Sequence, residues 1–90
     1  MCRNIQPLYN VAPPATDDEV YAAATQYVRK ISGFTRPSKA NEAAFHAAVE
    51  AIAAASRDLL AALATSAPPR DRQAMAERAR ARSAQRRAGM

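Results

Sequence analysis

The apolar residues between Phe45 and Leu63 are spaced as on one face of a long α-helix. They stand alternately four and three residues apart, with a serine at one step, and this spacing keeps them on one side of a helix. Pro68 and Pro69 follow, and neither can continue a helix. The pattern predicts a helix over about residues 39–65, roughly 40 Å long at 1.5 Å per residue. The residues expected to form an oligomer or partner seam on this helix are Phe45, Val49, Ile52, Leu59, Leu60 and Leu63.

A shorter helix is predicted over about residues 17–32. Thr16 and Glu19 have the spacing of a capping box, in which each side chain accepts the backbone N–H of the other residue. Two basic residues in the last turn suit the negative end of the helix dipole, and Gly33 is the residue type that most often ends a helix. The apolar face expected for this helix consists of Val20, Ala24, Tyr27, Val28 and Ile31.

The sequence predicts an all-α protein with three parts: an extended N-terminal arm, an antiparallel helical hairpin, and a basic C-terminal segment that is helical or disordered. Three prolines exclude a continuous helix from residues 1–15. We expect a small helical domain at residues 1–67 and a basic tail at residues 68–90. Of the 90 residues, 24 are alanines, which bury little surface, so the chain has too little core for a large substrate-enclosing enzyme fold. The seam is longer than the first helix, which predicts a homodimer of four packed helices.

The net charge of +5 lies entirely in the predicted tail. Residues 1–67 hold six basic and six acidic side chains, whereas residues 68–90 hold seven arginines and two acidic residues. Such a tail can bind nucleic-acid phosphates without reading bases. The alternative interpretation is a solvated tail that only keeps the protein soluble. The seven arginines are Arg70, Arg72, Arg78, Arg80, Arg82, Arg86 and Arg87.

A second basic cluster lies between the two predicted helices. Arg29, Lys30, Arg36 and Lys39 occur there without an acidic neighbour, and Ser38 is expected to cap the second helix. The unpaired amides at that helix start, with Arg36 and Lys39, could bind a phosphate or carboxylate. The alternative is that these residues only complement a helix dipole and cap a helix.

Cys2 and His46 are the candidate catalytic or metal-binding residues, and neither is sufficient to predict an enzyme. Removal of the first methionine would leave Cys2 as an N-terminal nucleophile, but such enzymes need a sheet scaffold and an oxyanion hole. His46 lies four residues from both Glu42 and Glu50, whereas a structural zinc site needs four ligands, usually including sulfur. We therefore expect no catalytic residue, no metal and no cofactor. An enzyme or metal protein that uses Cys2 or His46 is the third alternative.

Several short motifs resemble a bacterial family of small proteins that is catalogued only as a domain of unknown function. The resemblance covers about residues 1–87 and implies a stand-alone single-domain protein. It implies no activity, substrate or catalytic residue. The motifs that carry it are Met1-Cys2-Arg3-Asn4-Ile5, Pro13-Pro14-Ala15-Thr16, Val28-Arg29-Lys30-Ile31-Ser32-Gly33-Phe34, Pro37-Ser38-Lys39-Ala40-Asn41-Glu42 and Ala67-Pro68-Pro69.

The function predicted from these features is non-enzymatic binding of DNA or RNA through phosphate contacts. A helical module that binds another protein, or a second copy of the chain, is the alternative. The single cysteine excludes an intrachain disulfide and fits the cytoplasm. No apolar run approaches the roughly 20 residues of a membrane span, so we expect no membrane partner.

Overall fold

The computed structural model describes residues 5–88, with side chains described as far as Gln85. Most of this part of the chain is helical, which confirms the all-α class in outline. A very short pair of parallel β-strands is added to the helices. The elements are strand β1 (Val11–Ala12), helix α1 (Asp17–Ser32), a 3-10 turn (Lys39–Asn41), helix α2 (Glu42–Ala62), strand β2 (Arg70–Asp71) and helix α3 (Arg72–Ala88).

Helix α1 occupies the residues that the sequence predicts, because both of its ends are specified locally. The Thr16 N–H donates to Glu19 Oε1 at 2.9 Å, and the Glu19 N–H donates to Thr16 Oγ1 at 3.2 Å, so the capping box is complete. At the other end Gly33 adopts a left-handed conformation with φ of 80°. Its N–H donates to the Arg29 carbonyl oxygen at 2.9 Å, which closes the last turn.

Helix α2 is three residues shorter at each end than the predicted helix over residues 39–65. The first three of those residues form the 3-10 turn instead. Ser38 stands before this turn, but its hydroxyl accepts a hydrogen bond from the Asn41 side-chain amide at 2.8 Å and caps no backbone amide. At the other end Leu63 is extended, and its N–H donates to the Leu59 carbonyl oxygen at 3.1 Å.

The core lies between α1 and α2 and is built from one row of small and medium side chains on each helix. Both rows follow the spacing i, i+4, i+8, which is the ridge that most often packs into grooves between helices. Val49 is 1% exposed and Phe45 is 8% exposed, so both lie in the interior. Leu8 from the N-terminal arm packs against the same cluster. The core residues are Val20, Ala24 and Val28 of α1 with Phe45, Val49 and Ala53 of α2.

The buried row differs from the heptad seam that the sequence predicts. The seam continues from Ile52 to Leu59 and Leu63, whereas the buried row continues through Ala53 toward Leu60. Leu59 and Leu63 are therefore 57% and 45% exposed, and Ile52 and Leu60 are half-buried. On α1 the buried row also departs from the predicted apolar face, and this leaves two residues of that face exposed, Tyr27 and Ile31.

The N-terminal arm pairs with the start of the C-terminal segment, which the sequence does not predict. Val11 is buried and lies opposite Arg70 in the parallel strand pair, and Ala12 lies opposite Asp71. The Arg70 N–H donates to the Asn10 carbonyl oxygen at 2.8 Å. The Asn10 side-chain amide also donates to the carbonyl oxygens of Ala67 and Pro68, at 3.1 and 3.2 Å. The basic segment is thus joined to the arm before α3 begins.

The molecule is flat, with principal extents of 45 × 40 × 15 Å. The radius of gyration is 16.1 Å, against about 12 Å for a compact domain of this length. This flat shape leaves much of each helix in contact with solvent.

Candidate nucleic-acid interface

A cavity of about 580 Å³ lies between the N-terminal arm and helix α3. We call it the arginine groove, because four arginines line it. Among the described residues that line it there is no aspartate or glutamate. Its floor is partly apolar, with Val11 from the arm and Met75 from α3. The lining arginines are Arg70, Arg72, Arg78 and Arg82.

The arginine groove follows from the helical period of α3 and from the strand pair. Arg78 and Arg82 are four residues apart, as are Met75 and Ala79, and residues at this spacing share one helix face. Arg70 reaches the same groove from β2, which the arm holds in place. Arg78 and Arg82 of the predicted basic tail therefore face the arm.

The Arg72 side chain makes its contacts within the protein. Its guanidinium forms a two-point ion pair with the Glu19 carboxylate, in which Nη1 donates to Oε1 at 3.1 Å and Nη2 donates to Oε2. Nη1 also donates to the Pro13 carbonyl oxygen at 3.2 Å. The side chains of Arg72 and Glu19 are 24% and 31% exposed, so the pair is partly screened from solvent. This pair links the start of α3 to the start of α1.

The ion pair changes the acidity of both groups. The hydrogen bonds from Arg72 lower the pKa of Glu19 from its ordinary 4.5 to about 2, and the Thr16 N–H adds to this effect. The same contact raises the pKa of Arg72. The Arg72 charge is compensated by Glu19, whereas within the described chain no ion pair compensates Arg70, Arg78 or Arg82. Within the described residues, three of the four groove arginines thus have no carboxylate partner.

The other tail arginines lie elsewhere. Arg80 is exposed and does not line the groove, because two residues along a helix turn a side chain by about 200° from Arg78. The side chains of Arg86 and Arg87 fall outside the described part of the structure.

The second predicted basic cluster is divided by the structure. Arg29 and Arg36 line a smaller cavity of about 250 Å³ between α1 and α2. Lys30, Ser38 and Lys39 are exposed and do not line it. The residues of the expected amide site form a 3-10 turn and not the start of an α-helix. The Asn41 N–H already donates to the Ser38 carbonyl oxygen at 2.9 Å.

Of the two candidate catalytic or metal-binding residues, only His46 lies in the described part of the chain. His46 is exposed, and its ring meets the Phe45 ring edge-on with centroids 5.9 Å apart. Within residues 5–88, no three His, Cys, Asp or Glu side chains are grouped to hold a metal ion. Cys2 lies outside the described residues. None of the described helices has the length and apolar character needed to cross a membrane.

A family model described as "Uncharacterized conserved protein (DUF2277)" matches residues 1–78. The chain belongs to the DUF2277 family. This confirms the resemblance to a small single-domain family of unknown function, although the match ends nine residues earlier than the resemblance, which extends to residue 87. Neither the curated proteins nor the solved structures gave a match. The DUF2277 match includes the core, the strand pair and the Glu19–Arg72 ion pair, and it ends at Arg78 within α3.

Proposed function

We propose that this DUF2277 protein is a cytoplasmic, non-enzymatic protein that binds the phosphate backbone of DNA or RNA in the arginine groove. The observation that supports this is the presence of Arg70, Arg78 and Arg82 on one groove, with no carboxylate among its lining residues. A guanidinium group binds phosphate oxygens through two parallel N–H donors. Each such contact also releases a condensed counterion from the nucleic acid, which favours binding at low salt.

The groove suits backbone contact better than base recognition. Its charged groups are arginines of β2 and α3, and the remaining lining is largely small or apolar, including Met75, Ala76 and Ala79. Apolar side chains can lie against sugars, but they offer no hydrogen-bond pattern that distinguishes one base pair from another. We therefore expect affinity with little dependence on sequence.

We also propose that α1 and α2 form an antiparallel pair. Asp17 and Val20 at the start of α1 share a cavity with Arg57 and Leu60 near the end of α2, which supports this direction. In that arrangement the Glu19–Arg72 ion pair lies at the end of the molecule where α2 finishes, and α3 starts from the same end.

The test compares two single arginines that differ only in their position on α3. Binding of labelled 20-residue DNA and RNA is followed by fluorescence anisotropy over a salt series, for the parent chain and for Arg82→Gln and Arg80→Gln. Loss of one phosphate contact lowers the log–log salt slope on duplex DNA by about 0.9. We expect that loss for Arg82→Gln and a much smaller change for Arg80→Gln, which removes the same charge outside the groove.

Two results would contradict the proposal. Equal losses for the two variants would mean that binding depends on overall charge and not on the groove. Absence of salt-sensitive binding by the parent chain at about 50 mM salt would remove the nucleic-acid function altogether. Circular dichroism of both variants checks that α3 is retained.

A second candidate function is assembly with another copy of the chain through the exposed part of the predicted seam. The supporting observation is that Leu59 and Leu63, two large apolar side chains of α2, are about half exposed. Association of two copies through this part of α2 would cover these side chains. Analytical ultracentrifugation of the parent chain and of Leu63→Gln tests this. A monomer at tens of micromolar would exclude the homodimer, and a dimer that Leu63→Gln weakens would support it.

A further inference from the structure

The smaller cavity between α1 and α2 has the composition of a binding site for a small organic anion. It lies where the second half of α1, the loop after it and the first half of α2 meet, and its volume is about 250 Å³. Drug-sized ligands occupy pockets of about 300–1,000 Å³, so this cavity fits a smaller molecule and not a nucleic-acid strand. It is separate from the arginine groove and shares no lining residue with it.

The rim of this cavity carries donors and positive charge. Arg29 comes from α1, Thr35 and Arg36 come from the loop, and His46 comes from α2. The lining residues include no aspartate or glutamate. In the part of the chain that is described, neither arginine takes part in an ion pair. The two guanidinium groups therefore lack an anion that the fold itself supplies.

The floor of the cavity is apolar. Phe45 and Val49 belong to the buried core, and both line the cavity. The Phe45 ring supports the His46 imidazole in an edge-to-face contact with an interplanar angle of 81°. Although His46 is exposed, this contact holds its ring beside the cavity.

We propose that this cavity binds a small phosphate monoester, with its phosphate near Arg29 and Arg36 and a short apolar group against Phe45. Two guanidinium forks, an imidazole and a hydroxyl offer more donors than the two oxygens of a carboxylate accept. A phosphate monoester presents three terminal oxygens and close to two negative charges, which match this donor set. The apolar floor selects an organic phosphate over inorganic phosphate, because it removes apolar surface from water.

Phenyl phosphate is the probe, and the His46 ring is the reporter. His46 is the only histidine in the chain, so its ring signals in an NMR spectrum are unambiguous. We expect saturable shifts of these signals with phenyl phosphate below about 1 mM, and binding of inorganic phosphate that is weaker by about tenfold. Benzoate, which has the same ring and a carboxylate, should also bind more weakly.

The matched pair of variants is Arg36→Gln and Lys39→Gln. Both remove one positive charge from neighbouring exposed positions, but only Arg36 lines the cavity. Arg36→Gln should weaken phenyl phosphate by about tenfold, and Lys39→Gln should leave its affinity within about twofold. The proposal is overturned if the His46 signals show no saturable shift by about 10 mM, if both variants lose affinity equally, or if inorganic phosphate or benzoate binds as tightly as phenyl phosphate.

Discussion

The Glu19–Arg72 ion pair should make the stability of this protein depend on pH between about 4.5 and 2. Glu19 has a pKa of about 2 when folded, against its ordinary 4.5, mainly because Arg72 donates two hydrogen bonds to its carboxylate. A lowered folded-state pKa means that the contribution to stability is complete above pH 4.5 and is lost as the pH falls toward 2. At about pH 3.2, midway between these values, unfolding should take up about 0.9 of a proton at this carboxylate.

The variant Glu19→Gln isolates this effect. A glutamine at position 19 can still accept the Thr16 N–H, so the capping box is kept while the charge is removed. Thermal unfolding of the parent chain and of this variant is measured by circular dichroism from pH 7 to pH 2. We expect the parent to be more stable at pH 7 and the difference to be nearly gone at pH 2. Other acidic residues titrate in both proteins, so the difference between the two reports Glu19.

A second substitution identifies the partner. Arg72→Gln should remove most of the same pH-dependent difference, and adding Glu19→Gln to it should cost little more, because both changes break one interaction. If the stability difference between the parent and Glu19→Gln stays constant from pH 7 to pH 2, the ion pair does not stabilise the fold and the reasoning is refuted. Additive losses in the double variant would refute it as well.

Two further substitutions test the core and the arm. Val49→Ala removes two methyl groups from a side chain that is 1% exposed, so the free energy of unfolding should fall by about 2–3 kcal/mol. Chemical denaturation measures this change. A loss below about 1 kcal/mol would mean that the α1–α2 core is not packed as described. Asn10 has a left-handed backbone with φ of 53°, which glycine adopts easily and alanine does not. Asn10→Gly therefore loses only the side-chain amide, and the Asn10→Ala protein should be less stable than the Asn10→Gly protein by about 1 kcal/mol. Equal stabilities of the two variants would contradict the left-handed conformation.

The parts of the fold that the sequence predicts are those with local signals. Thr16, Glu19 and Gly33 mark the two ends of α1 within a few residues of each helix terminus, and α1 has the predicted bounds. The ends of α2 carry weaker signals. Ser38 bonds a side chain instead of capping the helix, and alanines continue beyond Ala62, so the pattern overextends the helix by three residues on each side.

The strand pair and the ion pair could not be predicted in the same way. Asn10 and Arg70 are joined by a backbone hydrogen bond, which leaves no trace in side-chain type. Glu19 is already accounted for by the capping box, so nothing in the pattern assigns it a second partner 53 residues away. The charge distribution predicts a basic C-terminal segment. Which of its arginines line the groove depends on the phase of α3, that is, on how the helix is rotated about its axis relative to the arm. That phase depends on long-range contacts.

The same contacts determine how the C-terminal segment should be removed in a functional test. A chain that ends at Pro69 loses the strand partner of Val11 and leaves the Glu19 carboxylate without Arg72, so any loss of nucleic-acid binding could reflect a damaged arm. A chain that ends after Glu77 keeps β2, the ion pair and the first turn of α3, where Asp71 accepts the N–H groups of Gln73 and Ala74 at 2.9 and 3.2 Å. It loses Arg78 and every arginine that follows.

We expect the chain that ends after Glu77 to unfold at nearly the temperature of the parent, because the α1–α2 core and the attachment of the arm are intact. Its salt-dependent binding to DNA and RNA should be mostly lost, since Arg70 alone remains in the groove without a compensating carboxylate. Thermal unfolding and anisotropy on the same samples separate stability from binding. Retained affinity with a parent-like salt slope would show that α3 is not the binding element. A large fall in melting temperature would show that α3 supports the fold beyond its first turn.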